Sequence, residues 1–515
     1  MNYELCINDN VKDFIKKHLK DDVNKLALSK FPEGIDREFV IRQIHARQVL
    51  DKKLPSWAEN DELIFPKKLS LEQCSSELTA KYKTTLLFTK PHEMTRKGFS
   101  TNSCNLVDED LVDEEKSTKL HEITRKEISA DSCNLVDEHL VDEEKSTNLH
   151  ETTRKEFSAN SCDLVDEDLV DEERILVDLT GGMGVDTAFL SDNFDKAYYV
   201  EMQEELCEIA KHNFKILNKN IEVVNDNAEH FLTICDKVDC IYLDPARRDE
   251  YGRKMVSLHD CSPDVAELQD ILLEKAKTVI VKLSPMLDID IVKKELKNIK
   301  EIHVVAVRNE CKEILIEIQN LRNSESQKLE LQCHNDAKID SATSIKISAT
   351  DLRENWNFDF SEDEELEAQW TLADNVGKYL YEPGVACMKA GCFKLLSQKY
   401  NLDKLHRNSH LYTSDELASD FPGRIFEVVN TVPFDKKTKK EISSICQQTT
   451  DNRQQTDSKL AAKSSKLKAS VTVRNFPLSA EELKKNLGLQ DGSDFYIFGT
   501  TMKGEKKVIV LTKKI

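Results

Sequence analysis

Hydrophobic residues in the middle of the chain fall in short, largely apolar runs, each followed by a stretch whose apolar positions recur at helical spacing. Such runs occupy residues 175–179, 197–200, 221–224, 238–243 and 278–281. Strands that bury both faces read this way, and their alternation with helices predicts a doubly wound α/β domain. Two more runs, 302–307 and 314–318, flank the polar residues 308–313 and predict an antiparallel pair that closes the sheet. Ahead of them, residues 14–19 and 39–50 place apolar groups at helical spacing, so a helical N-terminal domain with no chemistry of its own is expected over 1–94. Beyond residue 322 polarity rises, and 351–367 is strongly acidic. Residues 323–374 are therefore expected to be a linker or loop-rich extension, with structure resuming at Asn375 and a helix through 390–400.

Length and charge sharpen this division. A chain of 515 residues has room for roughly three domains. No apolar run approaches the roughly 18 residues that span a membrane, and the first residues lack a basic stretch followed by an apolar one. A cytoplasmic protein, neither exported nor embedded, is expected. The 14 cysteines include no Cys-x-x-Cys, and His121-Glu and His150-Glu lack a second histidine four residues on. Reduced thiols and no metal site are the expectation.

The formal charge of −21 is unevenly spread, because residues 95–173 hold 9 Lys or Arg against 23 Asp or Glu. There Thr95-Arg-Lys, Thr124-Arg-Lys and Thr153-Arg-Lys recur every 29 residues, each leading into an acidic Leu-Val-Asp-Glu frame. Fewer than three full copies are present and the leucine-rich frame is absent, so a solenoid is rejected. Each unit buries too little to offset its ordering entropy, and 95–173 reads as a duplicated acidic insertion, expected to be disordered. A second low-complexity insertion is expected near 447–465.

The chemistry concentrates where the first run meets a glycine turn: residues 175–186 read Ile-Leu-Val-Asp-Leu-Thr-Gly-Gly-Met-Gly-Val-Asp. Gly182 and Gly184 let the backbone turn sharply beside a ligand, and Asp178 stands at a strand's carboxyl end, where such folds bind nucleosides. The dinucleotide fingerprint requires a third glycine where Thr187 stands, which argues against a pyrophosphate. The next strand ends at Glu201, close to the spacing at which a carboxylate meets ribose hydroxyls. The third ends at Asp226 and the fourth at Asp244-Pro-Ala-Arg-Arg248.

This constellation resembles the class I S-adenosylmethionine-dependent methyltransferases. More specifically it resembles a bacterial subfamily with a ferredoxin-like module and a C-terminal THUMP-like domain. Its marks are Asp178-Leu-Thr-Gly-Gly-Met-Gly-Val-Asp-Thr187, Asp244-Pro-Ala-Arg-Arg248, Lys282-Leu-Ser-Pro-Met-Leu-Asp288, Asn309-Glu-Cys-Lys-Glu313, Tyr381-Glu-Pro-Gly384, Phe421-Pro-Gly-Arg424 and Val473-Arg-Asn-Phe-Pro477. The resemblance implies a Rossmann-like methyltransferase domain over 174–322, a ferredoxin-like module over 375–423 and a THUMP-like domain over 424–515, small α+β modules both. It implies S-adenosylmethionine as cofactor, held by Asp178, Thr180, Gly182, Gly184, Glu201 and Asp226. Asp244, Arg247, Arg248 and Lys282 are the implied catalytic and acceptor-binding residues. In amino-methylating relatives Pro-Pro and an aromatic follow the strand-four acid, whereas Ala246 and Arg247 stand here, so stacking of a target base at that point is not supported.

The partner implied is RNA, tRNA or rRNA, with the lysines from Lys436 to Lys468 and Arg474 as the cationic face and Phe476 as a stacking group. Two alternatives stay open: methylation of a protein or small molecule, and cofactor binding without turnover. The sequence does not set the oligomeric state.

Overall fold

The computed structural model describes residues 7–87, 173–247, 257–320, 344–451 and 468–515. The acidic repeat, most of the 447–465 insertion and Arg248 lie outside these residues. Among the described residues no helix is long and apolar enough to cross a membrane.

The runs read from the sequence become strands β1 (Ile175–Asp178), β2 (Lys196–Glu201), β3 (Ile221–Asn225) and β4 (Val238–Leu243). A small hairpin of β5 (Ala246–Arg247) and β6 (Cys261–Ser262) follows, then β7 (Ala276–Leu283), β8 (Ile299–Val307) and β9 (Glu310–Gln319). In the sheet these stand in the order β3-β2-β1-β4-β7-β9-β8, with β1, β2, β3, β4 and β7 parallel and β9 antiparallel to both neighbours. The expected doubly wound domain and its closing antiparallel pair are therefore present. The helix Glu204–Ile216 shows why the alternation works: Leu206, Cys207, Ile209, Ala210, Asn213 and Phe214 form its buried stripe, and Glu204 and Glu205 sit in its first turn, where the helix dipole favours acids.

The segment 323–374 departs from its expectation. Two strands, β10 (Lys346–Asp351) and β11 (Trp356–Ser361), extend the sheet to nine strands beyond β8. High net charge hid them, yet Trp356, Phe358 and Phe360 alternate with Asn357, Asp359 and Ser361, and Phe358 and Phe360 are buried. Charge on the outer face of an edge strand is no obstacle to pairing.

The C-terminal modules share a single seven-stranded sheet. Its strands are β12 (Tyr379–Pro383), β13 (Asp403–Lys404), β14 (Tyr412–Ser414), β15 (Gly423–Pro433), β16 (Lys468–Arg474), β17 (Gln490–Met502) and β18 (Lys506–Lys514), in the order β13-β14-β12-β15-β18-β17-β16. Three of the quoted motifs converge on one buried carboxylate here. Glu382, 3% exposed, accepts from Arg424 Nε at 2.9 Å and from Arg474 at 2.8 Å. A Cβ on Gly423 would stand 2.3 Å from the Glu382 carbonyl oxygen, and one on Gly384 would strike the Trp356 ring. Those two positions accept nothing larger than glycine.

The N-terminal helices dock on the helix Glu204–Ile216. Asn213, fully buried there, bonds both the N–H and the carbonyl of Ile64, at 2.9 and 2.8 Å. Arg47, also buried, donates to the carbonyls of Asn60, Asp61 and Leu63, and burial lowers its pKa to about 10.

Candidate active site

The cleft lies at the carboxyl ends of β1, β2 and β4, a cavity of about 220 Å³ lined by Asp178, Thr180, Gly182, Gly184, Glu201 and Asp244. These six of the residues singled out from sequence are brought together. Gly182 and Gly184 both take the left-handed conformation, at φ 53° and 82°. Gly182 turns its N–H onto Glu201 Oε2 at 3.0 Å, while Gln203 N donates to Oε1 at 2.9 Å. The Glu201 carboxylate is thereby fixed at the end of β2 facing the turn. Asp226 stands outside the lining: His230 Nδ1 holds it at 2.6 Å and keeps its carboxyl below the usual range, and its neighbours Ala228 and Glu229 reach the cavity instead. Arg247 lies on β5, opposite Cys261.

Asp178 is 1% exposed, and Thr180 N and the Thr187 hydroxyl donate to it at 3.0 and 2.5 Å. Burial outweighs those bonds and pushes its carboxyl up to about 7. Thr180 also ties two strands together, because its hydroxyl oxygen accepts the Asp244 N–H at 2.6 Å. An aspartate that ionises near pH ~4 when unfolded and at about 7 when folded destabilises the fold in its charged form. That cost is absent at low pH, grows between the two values and is complete above the higher one. Asp178→Asn should accordingly stabilise the protein at pH 8 by about 1 kcal/mol or more, one pKa unit being about 1.4 kcal/mol, with little gain at pH 4.5. Denaturant midpoints of both proteins at the two pH values check this, and an equal gain at both would remove the protonation argument.

Behind the cavity lies a buried ionic cluster that sequence reasoning did not foresee. Lys83 comes from the helix Glu77–Leu86 of the N-terminal domain and is fully buried, with Nζ 3.1 Å from Asp186 Oδ1 and 2.9 Å from Glu313 Oε1. Asp186 Oδ2 also accepts from Ser75 and Tyr242, each at 2.7 Å. Lys282, at the end of β7, reaches Asp244 Oδ2 at 2.5 Å, Ser75 Oγ at 3.2 Å and Asp186 Oδ2 at 3.8 Å. Burial alone would discharge Lys282, but Asp244, Asp186 and Glu313 outweigh it and hold the ammonium well above its ordinary range. Burial likewise works against the Asp186 carboxylate, yet Lys83 and Lys282 keep it ionised far below the usual range. Glu313 is raised by burial, which its lysine neighbours only partly offset.

Lys282 is held as a cation against Asp244, which lies half-buried on the cavity wall. The N-terminal domain contributes walls to the cavity and members to the cluster: Ser70, Gln73, Cys74 and Ser75 line the cavity, and Ser75 and Lys83 complete the cluster. Asp186 and Glu313 both stood in quoted motifs, and a charged residue inside a run such as Gly-Met-Gly-Val-Asp was the available signal.

The cationic face expected in the tail changes in detail. Phe476, half-buried, packs edge-on against Phe434 with centroids 4.9 Å apart. Arg474 is tied to Glu382, whereas Lys436, Lys437 and Lys440 are exposed around the start of the helix Thr438–Asp451. Lys459, Lys463 and Lys466 lie outside the described residues.

Residues 379–422 match a family described as a ferredoxin-like domain, and residues 451–514 match one described as THUMP domain-like. Over nearly its whole length the chain is similar to a solved structure described as a "putative methyltransferase from Porphyromonas gingivalis W83". Identity is 27%, the alignment covers 98% of this chain and 97% of that one, and the TM-score is 0.68. An rRNA methylase from Streptococcus thermophilus is 18% identical over 29% of this chain and 88% of its own, with a TM-score of 0.23. No curated protein matches the sequence. The chain thus carries a ferredoxin-like and a THUMP-like domain behind a Rossmann-like domain of the class I methyltransferase type.

Proposed function

We propose that the protein is an S-adenosylmethionine-dependent methyltransferase acting on RNA, tRNA or rRNA. The observation that carries the reading is the cavity itself, in which a two-glycine turn and the carboxylates of Asp178, Glu201 and Asp244 meet at the carboxyl ends of three parallel strands. The fit to such a cofactor is good. Gly182 and Gly184 supply the left-handed turn, a Cβ on Gly184 would strike the Phe214 ring behind it, and Glu201 is held by two backbone N–H groups with lone pairs left for a diol. Asp178 would hold the amino-acid end, Glu201 the ribose and the 226–229 segment the base. When bound, the cofactor supplies an electrophilic methyl on a sulfonium.

The chain's own residues then position the acceptor. Asp244, oriented by Lys282 and Thr180, accepts a hydrogen bond or proton from the attacking group, and most of the rate gain comes from holding the reactants in line. Arg247 and Arg248 are proposed as clamps for phosphate or a base edge. The THUMP-like domain and the exposed lysines of the tail support RNA as the acceptor, in the cytoplasm.

If Glu201 takes the ribose hydroxyls, Glu201→Ala should weaken S-adenosylmethionine binding by about 1.5–3 kcal/mol, the usual worth of a hydrogen bond to a charged group. Calorimetry reads this directly; unchanged affinity in a folded variant would take Glu201 out of the site, and tighter binding of NAD would overturn the cofactor class. Tritiated methyl transfer to RNA, protein and small-molecule fractions of cells lacking the protein identifies the acceptor class. Label appearing in protein or metabolites but not RNA would reject the RNA reading.

A further inference from the structure

Adjacent strands β8 and β9 place two carboxylates and an imidazole on one face of the sheet. Glu301 and His303 are two residues apart on β8, hence on the same face, and Glu317 lies directly across from Glu301 on β9. One ligand atom from each lies within 4.8 Å of the other two. Like charges directly opposed across a ladder are destabilising unless something neutral or positive separates them. Lys300 covers one oxygen of Glu317 at 2.9 Å, and Gln319 donates to the same oxygen at 2.6 Å, which leaves the carboxylate's second oxygen to account for.

His303 is the decisive residue. It is 5% exposed, and its Nε2 is buried with no hydrogen-bond partner among the described residues. Glu301 Oε1 stands 3.7 Å from that nitrogen, too far for a hydrogen bond. Buried ring nitrogens are rarely left unmade, because the desolvation cost is not recovered. The other nitrogen, Nδ1, lies 3.2 Å from the Tyr82 hydroxyl. A histidine whose Nδ1–H donates to an oxygen presents Nε2 as a lone pair, the usual arrangement of a metal-binding imidazole with its outer partner.

We propose that Glu301, His303 and Glu317 bind a divalent transition cation, Zn2+ being the best match to one imidazole and two carboxylates. Donors about 2.0–2.2 Å from Zn2+ stand roughly 3.4 Å apart in a tetrahedron, so modest side-chain rotation closes the site. Glu301, with 27% of its side chain exposed, gives the ion its route in and a position for solvent. The cation would strap β8 to β9 and, through Tyr82, to the N-terminal helix that delivers Lys83. Its place is outside the cleft, and the inference does not depend on the methyl-transfer reading. The group His259, Asp264 and Glu267 is no rival: His259 Nδ1 is bonded to Asp264 at 2.8 Å, and Asp264 caps the helix Val265–Lys275.

The test uses the full chain, stripped with a chelator, dialysed and titrated with ZnCl2 by calorimetry, with CoCl2 as a spectroscopic probe. One equivalent is expected to bind, raising the melting temperature, and cobalt should show a nitrogen and oxygen spectrum without thiolate charge-transfer bands. His303→Gln should weaken binding by at least about 100-fold and Tyr82→Phe by about 10-fold, the range for an outer partner. Should His303→Gln fail to fold, Glu301→Gln, on the exposed side, carries the test with at least a 10-fold loss expected. The proposal is overturned by no stoichiometric binding, by thiolate bands in the cobalt spectrum, or by equal affinity in the wild type and Glu301→Gln.

Discussion

Lys83→Met is expected to destabilise the folded protein by about 3–5 kcal/mol, the cost of leaving a buried ion pair with one side missing. Methionine fills most of the space, so the loss is electrostatic: Asp186 keeps Lys282 at 3.8 Å, but Glu313, 2% exposed, loses its nearest cation. Burial already raises the Glu313 carboxyl, and without Lys83 it should fold in its protonated form. The penalty should then shrink as pH falls, because protons fill the deficit that the lysine leaves. Urea midpoints at pH 5.5 and pH 8 measure both statements. A variant as stable as the wild type at pH 8 would mean that the cluster is solvated in solution and that the helix Glu77–Leu86 docks through apolar contacts alone.

Asp244→Asn should lower methyl transfer by about 100-fold or more, the lower range for a lost general base, while cofactor affinity stays within a few-fold. Asparagine keeps the shape and an oxygen for Lys282, so the fold and the cavity should survive. Lys282→Met separates orientation from proton transfer: with Asp244 present but no longer held, the loss should be smaller and the acceptor KM should rise with the fall in kcat. Normal turnover by Asp244→Asn on the acceptor found by labelling would make the Asp244-Pro245 step a strand terminator and nothing more.

What could be read from the sequence was what the chain places locally. Asp178, the Gly182–Gly184 turn, Glu201 and Asp244 announce themselves because strand, terminal acid and turn are consecutive in sequence, and the parallel order then gathers those ends at one edge. Lys83 and Ser75 were illegible for the opposite reason. Their partners Asp186 and Glu313 lie 103 and 230 residues away from Lys83, with the acidic repeat between, and no spacing rule connects a helix lysine to such distant acids. The strands β10 and β11 are masked by the acidic composition of 351–367, although Phe358 and Phe360 alternate with polar neighbours. Glu301, His303 and Glu317 show no recognisable metal spacing, since only the β8 and β9 register brings the last to the first two.

The ladder between β12 and β15 has a practical consequence for anyone cutting the chain. It runs from Tyr379 opposite Glu427 to Pro383 opposite Gly423, and β15, which lies in neither family match, pairs on its other side with β18, so the matched segments are joined in one sheet and neither holds all of its own strand partners. A fragment beginning at residue 424 would leave β15 with one flank unpaired, and a fragment ending at residue 422 would bare β12, where Leu380 and Tyr381 are fully buried. Either is a template for aggregation. The smallest piece worth expressing for nucleic-acid binding runs from about residue 375 to the end, and even that piece exposes Gly384 and Val385, which in the whole protein rest against Trp356 and Asn309.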